Sequence, residues 1–541
     1  MIHSVKSPCD EALMQAKPSH HRSGGQGGWV LVATILGSSM AFIDGSVVNV
    51  ALPAIQRDFH ASSSELQWVV EAYALFLAAL LLVGGALGDR LGRKRVFMIG
   101  TMIFALASIL CGAAQSNIWL IVARALQGIG GALLVPGSLA LISAFFQADQ
   151  RGRAIGTWSG FTSVTSVLGP LLGGWLVQYA SWRLVFFLNI PLALIVLLIS
   201  WRALPESRDE EAHGKLDWPG ALLVTLGLAG IVYGLIQAGA TGLGQLSVLS
   251  ALALGVLALV LFFFVEARTA QPMVPLNLFR SHSFLGANLL TFLLYGALAA
   301  ATYFIPFNLI QVQGYTAAMA GAALTPFAVT MFLLSRLTGG LVRRFGSKLP
   351  LVIGPIITTL GFVLYSLVNI GGSYWTTFFP AVIVMSLGMA VTVAPLTTTV
   401  MNAVAQHAAG TASGINNAVS RTAGLLAIAV MGIVMVSVFK TSLTERLATL
   451  PLPTSLRQAI EAQSNSLAGI VQPPGISSST HALLQQAIDQ SFISGFRVVM
   501  LTCAGLALAS ALMSLLLIEG KKPAQITQAE KETIPAVREE Q

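Results

Sequence analysis

This chain of 541 residues contains fourteen apolar runs, each close to the length that crosses a lipid bilayer. A helix rises about 1.5 Å per residue, so about 20 apolar residues cover a hydrocarbon layer about 30 Å thick. Charged residues make up 10% of the chain and hydrophobic residues 55%, which is too apolar for a water-soluble protein. The sequence therefore predicts an all-α integral membrane protein with fourteen transmembrane helices.

Positive charge is segregated along the chain. The Lys and Arg residues behind the net charge of +8 fall in alternate connections between the apolar runs, as Arg90, Arg151 and Arg344 do. Because positively charged loops stay in the cytoplasm, this pattern predicts a multi-pass protein of the bacterial inner membrane. An even number of spans then places both tails, 1–28 and 518–541, in the cytoplasm. The basic balance sets orientation, so we expect no nucleic-acid partner.

Side chains that carry chemistry in soluble enzymes are sparse. Cys9, Cys111 and Cys503 have no spacing typical of a metal site or a disulfide framework. His282 and His407 lie far in sequence from any Asp or Glu, and no phosphate-binding GxxxxGK[ST] loop occurs. We therefore expect no enzyme, no metal and no cofactor, with the proton gradient as the energy source.

A charged stretch that contains glycine recurs along the chain. GGALGDRLGRKR occupies 84–95, and a weaker copy, GGLVRRFGSK, occupies 339–348, with Gly339 lying 254 positions after Gly85. The two follow the second and tenth apolar runs, whereas two parallel six-helix halves would place them six runs apart. The sequence therefore predicts an N-terminal six-helix bundle at 29–201, a linker with two extra helices at 202–266 and a C-terminal six-helix bundle at 267–517.

One connection is much longer than the others. Residues 439–492 separate the predicted spans 412–438 and 493–517 and are rich in Ser, Gln, Ala and Pro. The alternation of loops places this stretch outside the cell, where it would form the one large outer loop. A short helix is expected within it near Leu483.

Six motifs occur at points spread along the chain. They are DGSVVNVALP (44–53), GGALGDRLGRKR (84–95), LIVARALQGIGGA (120–132), GPLLGG (169–174), WRLVFFLNIP (182–191) and LDWPG (216–220). The set resembles the signatures of the major facilitator superfamily, and within it the fourteen-span drug:proton antiporter family that includes EmrB-like and QacA-like exporters. The resemblance covers nearly the whole chain, although Ser46 stands where threonine is usual and Thr165 where a glycine is expected.

The resemblance implies a major facilitator fold, with two six-helix bundles and two additional central helices. It also implies a proton-coupled antiporter that exports amphipathic drugs or toxic compounds from the cytoplasm by alternating access. The alternative is a dedicated exporter of one endogenous metabolite, peptide or siderophore, because both kinds of cavity use the same residue types. EmrB-like relatives can join a periplasmic adaptor and an outer-membrane channel, so the 439–492 loop is either a candidate contact for them or an idle insertion.

The first charged motif is a candidate conformational latch. Glycines there permit tight turns, and the acid can cap the next helix or pair with a nearby arginine. The resemblance implies that this loop bonds to neighbouring helices in one state and releases them in another. A loop that only enforces topology is the alternative. In the second copy Arg343 replaces Asp89, so an acid-centred latch exists on one side only. The candidate residues are Gly85, Asp89, Arg90, Gly92 and Arg93.

Acidic residues within the membrane are scarce. No Asp or Glu occurs between positions 267 and 444, and the first six spans contain only Asp44 and Glu71, with Arg124 in the fourth. Counting from the predicted helix ends places all three roughly 8–12 Å below the outer surface. We predict a titrating cluster in which Asp44 carries the proton, Glu71 receives protons or attracts cations, and Arg124 tunes both. The alternatives are a static Asp44–Arg124 ion pair and a solvated Glu71.

Two further groups are candidate site residues. The glycines of GPLLGG allow close helix packing, and its proline bends the helix; the resemblance implies a role in shaping the antiporter. The residues of this motif are Gly169, Pro170, Gly173 and Gly174. Aromatic and polar side chains of the central helices can stack on or bind flat or cationic substrates, or else only pack. These candidates are Tyr73, Trp158, Phe161, Tyr295, Tyr303, Asn417 and Arg421.

Overall fold

The structure is a computed structural model, and it contains helices and connecting loops but no strand in the part of the chain that it describes. It describes residues 26–146, 148–208, 217–269, 272–338, 342, 345–404, 409–474 and 476–520. Most of the two predicted cytoplasmic tails and Arg343 of the second charged motif lie outside these residues.

The N-terminal half consists of seven helices. They are α1 (Gln26–Phe59), α2 (Ser63–Leu91), α3 (Arg93–Gly112), α4 (Asn117–Phe145), α5 (Ala148–Tyr179), the short α6 (Leu184–Phe187) and α7 (Asn189–Ala203). Helices α6 and α7 follow one another directly and together make the sixth span.

Along the chain, two helices, α8 (Trp218–Thr241) and α9 (Leu246–Arg268), separate the two halves. The second half follows. It contains α10 (His282–Phe307), α11 (Ala317–Ala323), α12 (Thr325–Thr338), α13 (Lys348–Ser366), α14 (Phe378–Asn402), α15 (Ala409–Thr449), α16 (Thr454–Ala462) and α17 (Ser478–Leu517).

The prediction of fourteen spans agrees with this set of helices. Thirteen helical segments in the described part of the chain are long and apolar enough to cross a membrane. Helix α5, with 32 residues, packs along α1 and supplies the remaining span, although its Gly, Ser and Thr residues lower its hydropathy. Each helix satisfies its own backbone hydrogen bonds, which a lipid environment requires.

Small residues allow the helices to approach closely. In the first half α4 packs against α2 and α3, where Gly84 lies on the Ala132 backbone and Gly130 on the Phe104 backbone. In the second half α13 packs against α14 and α17, and Gly361 lies on Met385. Such close contacts replace the hydrophobic effect as the main source of helix association in lipid.

The two extra helices form a peripheral hairpin. Helices α8 and α9 pack on each other, and α8 also contacts α2 and α15. Most of α9 is exposed, and only 17% of its most apolar 18-residue stretch is buried within the protein. Such a surface fits hydrocarbon rather than water, so α9 is the lipid-facing member of the pair.

The long connection in the second half is shorter than predicted. Helix α15 continues to Thr449 and α17 begins at Ser478, so the loop proper covers 450–477 instead of 439–492. The helices extend because their polar ends bind each other, with Arg446 donating to Gln490. Leu483 lies in the first turns of α17, and the short helix of this region is α16.

Candidate functional site

A buried ion pair joins α1 to α4. The side chains of Asp44 and Arg124 are 0% and 1% exposed, and Arg124 Nη1 donates to Asp44 Oδ2. Arg124 Nε also donates to the Val69 carbonyl at 3.0 Å, and its guanidinium lies 4.3 Å from the Tyr73 ring centroid. The predicted association of Asp44 with Arg124 is therefore present in the structure.

Two amide side chains complete the shell around Asp44, and the Ser108 hydroxyl accepts from both of them. Gln127 Nε2 donates to Asp44 Oδ1 at 2.7 Å and to Ser108 Oγ at 2.9 Å, while Gln127 Oε1 accepts from Arg124 Nη1 at 2.7 Å. Asn189 Nδ2 donates to Asp44 Oδ1 at 3.2 Å. The carboxylate thus accepts three hydrogen bonds from α4 and α7, which stabilise its ionised form.

Glu71 does not belong to this network, so the predicted cluster of three charges is wrong. Its side chain is fully buried, and neither carboxyl oxygen has a hydrogen-bond partner among the described residues. It interacts electrostatically with Tyr303, whose buried hydroxyl also lacks a partner in the described part of the chain. Equal depth did not bring Glu71 to Arg124 because residues at the same level of neighbouring helices can face different directions. The alternative of a solvated Glu71 is also wrong.

The arrangement has the chemistry of a proton-exchange site. An ionised carboxylate is tolerated at this depth because Arg124 and two amides stabilise it, and a change in helix packing that removes a donor would favour protonation. Glu71 has no partner for a charge among the described residues, and a charge buried without a partner is unfavourable. The two acids of the first half therefore lie in opposite electrostatic settings.

Polar groups of the second half form a neutral network. Asn416 Nδ2 donates to Asn288 Oδ1 at 3.1 Å and to Thr291 Oγ1 at 2.7 Å, joining α15 to α10. Asn417 is exposed and donates to its own helix at Ser413 O. Of the predicted cavity pair, Arg421 is half-buried, with no hydrogen-bond or ion-pair partner among the described residues, and it interacts electrostatically with Tyr73.

The aromatic candidates occupy different environments. Tyr73 is buried between Arg124 and α1, donating its hydroxyl to Ala41 O at 3.2 Å, and Tyr303 is fully buried. Trp158 and Tyr295 are half-buried, and Trp158 Nε1 donates to Ser38 Oγ at 3.1 Å. Phe161 is 55% exposed. The structure therefore places Tyr73 beside the ion pair and Tyr303 beside Glu71.

The GPLLGG motif lies where α5 meets both halves. A Cβ on Gly169 would collide with Ser46 Oγ of α1, and one on Gly173 with Val47. A Cβ on Gly174 would collide with the Ala317 carbonyl of α11 in the second half. Pro170 lies inside α5, and its carbonyl in turn contacts Gly321. The expected close packing is therefore present, and it joins the two halves.

The end of the bundle that carries GGALGDRLGRKR, here called the charged end, holds the predicted latch. Asp89 accepts from Arg93 Nε at 2.9 Å and forms an ion pair with Arg93 Nη2 at 2.8 Å, four residues away. Gly92 has φ +111° and lies against Glu206, which accepts from Lys94 N at 3.0 Å. The motif therefore contacts the segment that follows α7.

A cavity of about 410 Å³ also lies at the charged end. Gly85, Asp89 and Arg90 of α2 form one wall, and Asp217 and Trp218 at the start of α8 form another. The start of α15 contributes Thr411 and Gly414. This space separates the latch motif from the second half.

The opposite end, here called the loop end, is closed by glutamines. Gln56 Nε2 of α1 donates to Ser466 O at 3.0 Å, and Gln56 Oε1 accepts from Gln311 Nε2 at 2.7 Å. Ile460 and Leu467 of the loop are buried in the same apolar cluster as residues of both halves. The long loop is therefore folded onto the bundle and covers the junction of the halves.

Gln127 and Asn189 lie within two of the six motifs, but neither was predicted to be a site residue. Ser108 lies in no motif and was not predicted either. Cys111 was expected to be a bystander, yet Cys111 Sγ lies 3.6 Å from Gln127 Oε1. A usable signal was present: Ser108, Gln127 and Asn189 are polar residues within apolar runs, and Ser108 and Asn189 lie within a few residues of a helix end.

Comparison with known proteins agrees with this fold. The family profile described as Major Facilitator Superfamily matches residues 34–428. A solved bacterial homologue of the human lysosomal transporter Spinster superposes with a TM-score of 0.62 at 20% identity, covering 93% of this chain and 100% of that chain. The chain belongs to the Major Facilitator Superfamily, which confirms the resemblance found in its motifs.

The relatives of known name are resistance and export proteins. The chain is 32% identical over 487 residues to the tetracenomycin C resistance and export protein of Streptomyces glaucescens, covering 90% of each chain. It is 34% identical to the multidrug resistance protein Stp of Mycobacterium tuberculosis, covering 87% of this chain and 88% of that protein. The puromycin resistance protein pur8 of Streptomyces alboniger is 35% identical, with 75% and 81% covered.

Proposed function

We propose that this protein is a proton-coupled antiporter that exports amphipathic drugs or toxic compounds by alternating access. The observation that carries the coupling is the Asp44–Arg124 pair with its amide donors, buried in the first half of the molecule. The relatives' names support drug-like substrates. The proton gradient is the proposed energy source.

Orientation follows from positive charge. We propose that the charged end faces the cytoplasm of a bacterial inner membrane and that both tails lie there, because Lys and Arg concentrate in loops at that end. The cavity at the charged end and the contacts of Gln56 at the loop end then support an inward-facing arrangement. In this arrangement the pairing of Asp89 with Arg93, instead of with a helix of the second half, fits a released latch.

The transport step is a rocking of the two bundles, 29–201 and 267–517, about the central site. Protonation of Asp44 removes its ion pair with Arg124. This changes the relative free energies of the two conformations between which the bundles rock, because α1 then packs differently against α4. Glu71, Tyr303 and Arg421 face the substrate in this proposal. Glu71, whose carboxyl oxygens have no partner among the described residues, gives the central site its preference for cations.

The rival function is export of one endogenous compound. It is supported by the relatives that are named for a single antibiotic, such as tetracenomycin C. A periplasmic adaptor and an outer-membrane channel are further proposed partners, reached from the exposed face of the 450–477 loop. Residues of this loop that are buried against the bundle, such as Leu467, are not available to them.

A drug panel in a pump-deficient bacterial host tests the proposed function. Expression of the chain is expected to raise resistance to several unrelated amphipathic cations, and a protonophore is expected to abolish that resistance. The Asp44→Asn chain, expressed at the same level, is the control. Resistance to none of the compounds would favour the dedicated exporter, and resistance that survives the protonophore would exclude proton coupling.

A further inference from the structure

Asn189 lies at the point where α7 meets the buried acid. The residue is fully buried, and its Nδ2 donates to Asp44 Oδ1 at 3.2 Å and to Ser108 Oγ at 3.3 Å. Its own Oδ1 is buried and has no partner in the described part of the chain. Among the described residues, the polar contacts of this amide are therefore with Asp44 and with the hydroxyl of Ser108 alone.

A role in folding alone does not explain an amide here. A buried carbonyl oxygen without a partner destabilises the folded state, and an apolar side chain of the same size would avoid that cost. The amide is favourable only through the hydrogen bonds that it donates.

The directions of the neighbouring bonds show which form of Asp44 the amide stabilises. The Ser108 hydroxyl donates to Phe104 O at 2.8 Å, so its oxygen accepts from both Gln127 and Asn189. Gln127 in turn presents its Nε2 to Asp44. Every described side chain bonded to the carboxyl group is a donor, and donors favour the ionised acid.

The other titratable groups near Asp44 come from three different helices. Arg124 on α4 pairs with it directly, and Tyr73 on α2 and Cys111 on α3 interact with it electrostatically. Arg421 of α15 also interacts electrostatically with Tyr73. The described side chains of α5, which packs along α1, add no charge, and α7 contributes Asn189 alone.

We propose that Asn189 is a positioning residue that sets the pH at which Asp44 releases its proton. The inference rests on the proposed function of Asp44 as proton carrier. Arg124 and Gln127 both reach the carboxylate from α4, whereas Asn189 is the donor from α7. The affinity of Asp44 for its proton therefore depends on the packing of α7 against α1 as well as on Arg124.

The test is the pH profile of proton-coupled drug exchange by the purified full chain in lipid vesicles. Asn189→Leu removes the donor and keeps the branched shape of the side chain, so the ionised form of Asp44 loses one stabilising bond and the protonated form loses less. The midpoint of the profile is expected to move to higher pH by about one unit, the size expected for one buried hydrogen bond. Asn189→Gln, which keeps the amide, is expected to move it less.

Ser200→Ala is the matched control, because Ser200 is also a buried polar residue of the same helix but has no side-chain hydrogen bond among the described residues. Its profile should overlay that of the unaltered chain. If Asn189→Leu fails to fold, Asn189→Ala removes the same donor without added volume and should shift the midpoint in the same direction.

A profile of the folded Leu or Ala variant that is unchanged, or that moves to lower pH, would overturn the inference. Asp44→Asn separates this failure from that of the proposed function. If Asp44→Asn abolishes coupling while both Asn189 variants retain the original profile, only the inference about Asn189 fails. If Asp44→Asn retains coupled exchange, the assignment of Asp44 fails, and the inference with it.

Discussion

The two halves of this transporter share a helical fold but not a polar chemistry. In the first half an ion pair between Asp44 and Arg124 joins α1 to α4. In the second half a polar contact between the first and fifth spans is neutral, with Asn416 of α15 bonded to Asn288 and Thr291 of α10. A neutral network keeps the same bonds at any physiological pH, whereas an ion pair responds to one proton. The difference is the basis of our proposal that the first half does the proton chemistry and the second serves as its partner.

The largest expected effect is on stability, from Arg124→Met. This change leaves the Asp44 carboxylate buried without its ion partner, which costs roughly 3–5 kcal/mol in buried pairs. We expect a large drop in the thermal unfolding temperature in detergent at neutral pH and a smaller drop at acidic pH, where Asp44 can take up a proton. The double variant Arg124→Met with Asp44→Asn should recover much of the loss. Equal losses at both pH values would show that the pair is not ionic.

Glu71→Gln tests the second acid of the first half. Because neither oxygen of Glu71 has a partner among the described residues, the change should leave the unfolding temperature nearly unaltered. Affinity for cationic drugs should fall about tenfold, the equivalent of about 1.4 kcal/mol, while neutral substrates keep their affinity. Binding of matched cationic and neutral compounds measures this. An equal loss for both classes would remove Glu71 from cation recognition.

The smallest expected effect is in the neutral network. Asn416→Ala removes two hydrogen bonds between α15 and α10 and should lower stability by about 1–2 kcal/mol. The pH profile of exchange should not move, because no proton is bound there. Asn417→Ala, next to it in sequence and exposed, should change neither quantity. A shift of the pH profile by Asn416→Ala would mean that both halves take part in coupling.

The sequence was sufficient for the fold class because the lengths of the apolar runs and the positively charged loops predict the spans. The motifs predict the family. The sequence also offered an ion pair of Asp44 with Arg124 as the alternative to a titrating cluster, and the structure contains that contact. The prediction failed for Glu71, because counting residues gives depth along a helix but not the direction in which a side chain points. The same limit hid Asn189 and Ser108, which are unremarkable until α3, α4 and α7 bring them together.

The long loop shows a second limit. Its polar composition predicted an outer loop at 439–492, but the described structure extends α15 and α17 into it and folds 450–477 over the junction of the halves. Hydropathy predicts where a helix leaves the lipid, but not where the helix ends. Helices continue beyond the lipid when their polar ends pack together, and here Ser442 Oγ of α15 lies 3.5 Å from Ser494 Oγ of α17.

Drug–proton exchange by Asp44→Asn in lipid vesicles tests the central claim most directly. Asp58→Asn is the matched control, because Asp58 lies on the same helix and also forms an ion pair, with Arg183 at 2.9 Å, but at the exposed loop end. We predict that Asp44→Asn folds and binds drug, yet a proton gradient no longer drives transport, while Asp58→Asn exchanges normally. Full gradient-driven transport by Asp44→Asn would contradict the account.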